Sequence, residues 1–127
     1  MFFQEIEPLA QSHQTIYTYD MDRKIKKILR ELKDGLTAIY GEQLSAVILF
    51  GSFARGEGRL PDSDIDVMIV LKGEFDYAEA EKRSSAFIAA LCLEYDVLIS
   101  WVFTSDQKYK ESRMPLLLNV RAEGIAV

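Results

Sequence analysis

A chain of 127 residues, 49% hydrophobic and 28% charged, fits one compact domain with a real core and leaves little room for a second. A net charge of −5 and a pI near 4.9 argue against a general nucleic-acid binder, whose affinity comes from neutralising phosphates, so nucleic acid is not expected as a direct stable partner. No apolar run approaches the roughly 20 residues that cross a bilayer, so no membrane is expected. The N-terminus lacks the basic start and apolar block of a signal peptide, and the lone Cys92 has no partner in the chain, which together predict a cytoplasmic protein with a buried free thiol.

Residues 1–21 are weakly patterned and read as an N-terminal extension; His13 lies there with nothing of metal-site spacing around it. The organised domain is expected over 22–127. Apolar Ile25, Ile28, Leu29, Leu32, Leu36, Ile39 and Tyr40 recur at helical spacing, so 22–40 is predicted as an amphipathic helix, capped by Asp22 and ended by Gly41. Arg23, Lys24, Lys26, Lys27, Arg30 and Lys33 crowd this segment; the plain reading is a solvated face, the sharper one a docking surface for an acidic partner or a nucleic-acid strand. Leu44 to Phe50 reads as a buried strand that stops at Gly51-Ser52, and a polar, glycine-punctuated loop follows. Asp64 to Leu71 is predicted as a second strand, 75–93 as a helix with Ala80, Phe87, Ile88 and Leu91 inward, and Tyr95 to Phe103 as a third strand. Ser105 or Asp106 is placed to cap a short helix, and Pro115 to open a last one. This order predicts an α/β (α+β) fold, a small mixed sheet flanked by helices.

The chemistry lies in residues 49–71. Side chains alternate across a strand, so Asp64 and Asp66 share a face. Two such carboxylates repel unless a cation lies between them, and hard oxygen ligands suit Mg²⁺, which substrate phosphates commonly complete. Asp96, opening the expected third strand, could close the cluster; three acids can hold two metal ions about 4 Å apart for in-line displacement at phosphorus. Ser100 occupies the same expected strand face as Asp96, and a shifted register could bring either opposite Asp66. Gly51-Ser52 marks a strand end where backbone N–H groups and the Ser52 hydroxyl can receive phosphate. Alone, Gly-Ser is usually a turn and Asp-x-Asp a solvated edge; Arg55 reads equally as a phosphate contact or a surface arginine. A calcium loop starting at Asp62 fails, since the glycine and glutamate it needs are replaced by Val67 and Gly73.

Taken together, Gly51-Ser52, Ala54-Arg55-Gly56, Ser63-Asp64-Ile65-Asp66, Asp96 in Tyr95-Asp96-Val97 and the ending NVRAEGIAV resemble the polymerase-β-like nucleotidyltransferases, and among them the minimal nucleotidyltransferases. Eleven residues separate Ser52 from Asp64, one more than is commonest in that pattern, a cheap change in a surface loop. The resemblance implies transfer of a nucleoside monophosphate from a triphosphate to a hydroxyl. Gly51 and Ser52, with Arg55 and Ser63, would hold the nucleotide; Asp64 and Asp66, with Asp96, would bind two Mg²⁺ ions, Asp96 also helping to activate the acceptor, with ATP as the donor. Minimal members are often antitoxins beside a HEPN-type ribonuclease toxin, which they silence by adding AMP to a toxin tyrosine or by binding it. That pairing is the expectation for this chain. The alternatives are a catalytically silent binding module and an enzyme acting on a small molecule such as an aminoglycoside, or on RNA; a homo-oligomer is compatible with each.

Overall fold

The structure, a computed structural model, describes residues 23–127. The expected extension over 1–21, His13 and the Asp22 cap lie outside the described residues. Helix α1 (Arg23–Tyr40) buries Ile25, Ile28, Leu29, Leu32, Leu36 and Tyr40, a stripe at spacings of three and four that faces one side of the sheet. Its basic side chains mostly face solvent, which a solvated face and a docking surface both require. A 3-10 turn, Gly41–Gln43, leads into β1 (Leu44–Phe50). A single helical turn, α2 (Gly51–Ala54), follows, then β2 (Ile65–Leu71). Helix α3 (Tyr77–Tyr95) starts where the Asp76 carboxylate accepts from the backbone N–H of Ala78 and Glu79. Next come β3 (Ile99–Ser105), α4 (Asp106–Glu111), α5 (Pro115–Glu123) and β4 (Ile125–Ala126). Ser105 caps α4 by accepting from Lys108, and Pro115 opens α5.

The sheet order is β3-β2-β1-β4: β1 is antiparallel to β2 and β4, and β2 is parallel to β3. A parallel pair needs a crossover, and α3 supplies it. The sheet is therefore mixed, as expected.

Its two faces differ. On one, Ile65, Val67, Ile69 and Leu71 of β2 are fully buried beneath α1 and α3 with Val47 and Leu49. Each such side chain contributes roughly 1.5–3 kcal/mol of burial. Gly35 of α1 lets the Phe87 ring of α3 press against the helix; a Cβ there would meet Phe87 Cζ at 1.9 Å. The Tyr40 hydroxyl ties α1 to α3 through the Ala80 carbonyl and the Ser84 hydroxyl. On the other face, Tyr109, Leu117 and Val120 from α4 and α5 cover Ala46, Ile48, Met68 and Val70. That cover ends before the start of β2 and before edge strand β3, where Asp64 and Val102 stay exposed and Asp66 and Ser100 are only partly buried.

One expected element is corrected. The third strand opens at Ile99, not Tyr95, because α3 runs on to Tyr95 and ends at Asp96. Asp96 is the C-cap in the left-handed region (φ 52°), a conformation that aspartate tolerates better than most residues.

Candidate active site

Strand alternation places Asp64 and Asp66 together, and the register of the sheet decides what joins them. Asp66 pairs laterally with Phe50 on the antiparallel side, so the end of β1 and the Gly51-Ser52 turn lie directly beside it. Gly51 has φ +73°, and a Cβ built there would meet Asp66 Oδ2 at 2.2 Å. Only glycine permits this: an L side chain would be strained and would collide with the carboxylate. The glycine–serine turn and the acid pair thus open into one place.

On the parallel side Asp66 pairs with Ser100, and the Ser100 hydroxyl donates to Asp64 Oδ2 at 3.2 Å. Asp96, expected to open this strand, is instead four positions earlier at the helix end. Among the described residues no group of three or more His, Cys, Asp and Glu side chains is arranged to hold a metal ion. The expected three-acid cluster of Asp64, Asp66 and Asp96 is therefore not brought together, because the chain from 96 to 98 is spent turning from helix to strand. The site has two carboxylates and a hydroxyl.

Burial pushes the Asp66 carboxyl above its ordinary value, the Asp64 charge pushes it further, and the Arg55 guanidinium opposes both. Two repelling carboxylates offering hard oxygen donors are what a divalent cation relieves, so these residues fit such an ion.

The loop after α2 folds back on the Ser52 carbonyl, which accepts from the amides of Glu57 at 2.9 Å and Gly58 at 3.1 Å. This leaves Ser52 half-buried at the head of the turn. Arg55 is exposed; its Nε donates to Glu57 Oε1 at 2.9 Å, and its Nη1 lies 3.6 Å from Glu123 Oε2. Ser63 closes the loop on itself: its amide donates to the Arg59 carbonyl and its hydroxyl accepts from the Arg59 amide.

The C-terminal Arg121-Ala122-Glu123-Gly124 has a physical reading that sequence inspection missed. Arg121 donates to the carbonyls of Tyr109 and Ser112 and so fastens α4 to α5. Glu123 reaches the motif loop through Arg55. Gly124 lets the end of α5 approach β1, since a Cβ would meet Ile48 Cγ2 and the Val120 carbonyl oxygen, each at 2.5 Å. The sequence signal was a charged pair beside a glycine; its partners lie in distant segments.

Trp101 and Tyr95 pack partly against the helix-covered core, away from the acid pair, and Tyr95 donates to Glu31. Cys92 is free and half-buried, with its sulfur accepting from the Ile99 amide. No helix among the described residues is long and apolar enough to cross a membrane.

A family model described as a nucleotidyltransferase domain matches residues 23–114, from α1 to the threshold of α5. "Putative protein adenylyltransferase MJ0141" of Methanocaldococcus jannaschii is 36% identical over 77 residues, covering 61% of this chain and 76% of that protein. "Putative protein adenylyltransferase MJ0604" of the same organism is 32% identical over 100 residues, covering 78% of this chain and 93% of that protein. No solved structure matches the chain. With a mixed sheet, a glycine–serine turn pressed against an Asp-x-Asp pair, and a family match over most of its length, the chain belongs to the nucleotidyltransferase domain family and is a nucleotidyltransferase.

Proposed function

We propose that this protein transfers AMP from ATP to a hydroxyl group, most simply a tyrosine, of a partner protein, and that the partner is a HEPN-type ribonuclease toxin which the transfer silences in the cytoplasm. One observation carries the reading: the Asp66 carboxylate lies against the Cα of Gly51, so anion-binding backbone and cation-binding oxygens share one opening. The names of the two archaeal relatives support a protein acceptor. So does exposed apolar surface at Met114, Leu116 and Leu118, at the start of a helix that packs beside the Gly51 turn.

In this reading the backbone N–H groups at Gly51 and Ser52 and the Ser52 hydroxyl hold the β and γ phosphates. Asp64 and Asp66 would hold two Mg²⁺ ions together with the triphosphate. When bound, the ions supply charge neutralisation and polarisation of the phosphoryl oxygens. The acceptor oxygen forms a bond to the α-phosphorus as the bond to pyrophosphate breaks, and the acceptor proton leaves to a carboxylate or to water. Arg55, tethered at Nε and Nη1, keeps its Nη2 group for phosphate. Open sheet beside Val102 gives the acceptor chain access.

The test is incubation of the protein with ATP labelled at the α-phosphate, Mg²⁺ and the product of the neighbouring gene. Label is expected on the partner, lost with Asp64→Ala. No label with either protein, while the partner is still neutralised, would favour a silent binding module.

A further inference from the structure

The residue opposite Asp66 on the parallel strand is a serine, and its hydroxyl is bonded to the other acid. We propose that Ser100 is a positioning residue of the cation site, standing where a third carboxylate would complete it and fixing the Asp64 carboxylate for the ion. The inference rests on the reading of Asp64 and Asp66 as cation ligands.

Register sets the placement. Asp66 and Ser100 are lateral partners, so their side chains leave the sheet on the same face. Asp64, two positions before Asp66, precedes the paired strand and is exposed, so no ladder hydrogen bond holds its backbone in place. The bond from Ser100 Oγ to Asp64 Oδ2 at 3.2 Å is the one side-chain restraint found on that carboxylate among the described residues. A serine hydroxyl has one proton to donate and two lone pairs. Once the proton is given to Asp64, the lone pairs remain for a cation or for an acceptor hydroxyl.

Charge explains why a neutral group suits this position. Asp64 and Asp66 already share one face of the sheet, and Asp66 is partly buried, so the two carboxylates repel each other. A third carboxylate at position 100 would add repulsion in the ion-free protein. Serine keeps an oxygen ligand there without that repulsion, at the cost of weaker attraction for the ion. The site is therefore built to gather its ion together with the triphosphate, whose oxygens bring the missing negative charge.

Mn²⁺ binding in the presence of a non-hydrolysable ATP analogue, followed by electron paramagnetic resonance, tests this on the full chain. Ser100→Ala is expected to weaken Mn²⁺ binding about tenfold, the scale at which loss of a ligand-orienting partner is felt. Ser100→Thr keeps the hydroxyl and should stay within about twofold of the natural protein. Ser100→Asp should tighten Mn²⁺ binding on the order of tenfold as ligand charge rises. It should also lower Tm without metal and recover it when Mn²⁺ is added. Equal Mn²⁺ affinity in the natural protein, Ser100→Ala and Ser100→Asp, each folded by circular dichroism, would overturn the inference. An absence of Mn²⁺ binding in the natural protein would overturn it too. If the series responds as expected but no partner accepts AMP, the transfer reading falls while the positioning role stands; if AMP is transferred and the series is flat, the reverse holds.

Discussion

The two faces of β2 carry opposite tasks within seven residues. On the face beneath α1 and α3, Ile65, Val67, Ile69 and Leu71 are each fully buried, and every one adds stability. On the other face Asp66 near the start of the strand and Asp64 just before it repel each other, and only Met68 and Val70 further along are covered by α4 and α5. The same alternation that builds the core thus delivers two carboxylates to the uncovered part of the sheet. Substitutions on the first face should cost stability, and substitutions at the acids should cost activity while easing the fold.

The largest expected effect lies at the acids: Asp64→Asn or Asp66→Asn should lower nucleotidyl transfer on the order of a thousandfold, as befits loss of a positioned charge at the reacting phosphate. Single-turnover assays with the fold verified by circular dichroism would check it. On the opposite face, Ile69→Ala or Leu32→Ala should lower unfolding free energy by about 2–5 kcal/mol in urea titrations, since neither site can collapse beneath two packed helices. Gly124→Ala should cost about 1–3 kcal/mol from overpacking against Ile48, with much less effect on the transfer rate of the folded protein.

The smallest effect has the opposite sign. Asp66 has its pKa raised in the folded protein, chiefly by burial. Its contribution to stability is therefore most favourable at pH below the ordinary carboxylate range and is lost as the pH rises through the raised value. Asp66→Asn removes that loss and should raise Tm at neutral pH by about 2–4 °C, with a flatter dependence on pH from the acid side upward. A lower Tm for Asp66→Asn would mean that the carboxylate is held by contacts stronger than its repulsion from Asp64.

Most elements were legible because their patterns are local. The 3.6-residue spacing of Ile25, Ile28, Leu32 and Leu36 marks α1, Gly51 marks the end of β1, and the two-residue spacing of Asp64 and Asp66 fixes their common face. The failure fell between 93 and 99. Tyr95-Asp96-Val97-Leu98-Ile99 mixes aromatic and β-branched residues and so reads as strand, yet Ile88, Leu91, Cys92 and Tyr95 continue a helical stripe through Tyr95. Tertiary packing of that stripe on α1 wins over β propensity. The partner of Asp66 was legible only as a choice between Asp96 and Ser100, and the structure selects Ser100. Register across a parallel pair depends on where the crossover helix releases the chain, and a shift of four residues exchanges Asp96 for Ser100 without changing the face. The roles of Arg121 and Glu123 depend on contacts with residues 9 to 68 positions away, which no local pattern encodes.

The central claim is that cation and triphosphate meet between the Asp64–Asp66 pair and the Gly51-Ser52 turn. Anomalous diffraction from crystals grown with Mn²⁺ and a non-hydrolysable ATP analogue addresses it directly. The account predicts an anomalous peak in contact with the carboxylates of Asp64 and Asp66, with phosphate density against the backbone of Gly51 and Ser52. A peak in the cleft of about 700 Å³ at the far end of the sheet, lined by Gly73, Phe75, Tyr77, Asp106 and Lys108, with the acid pair empty, would contradict it.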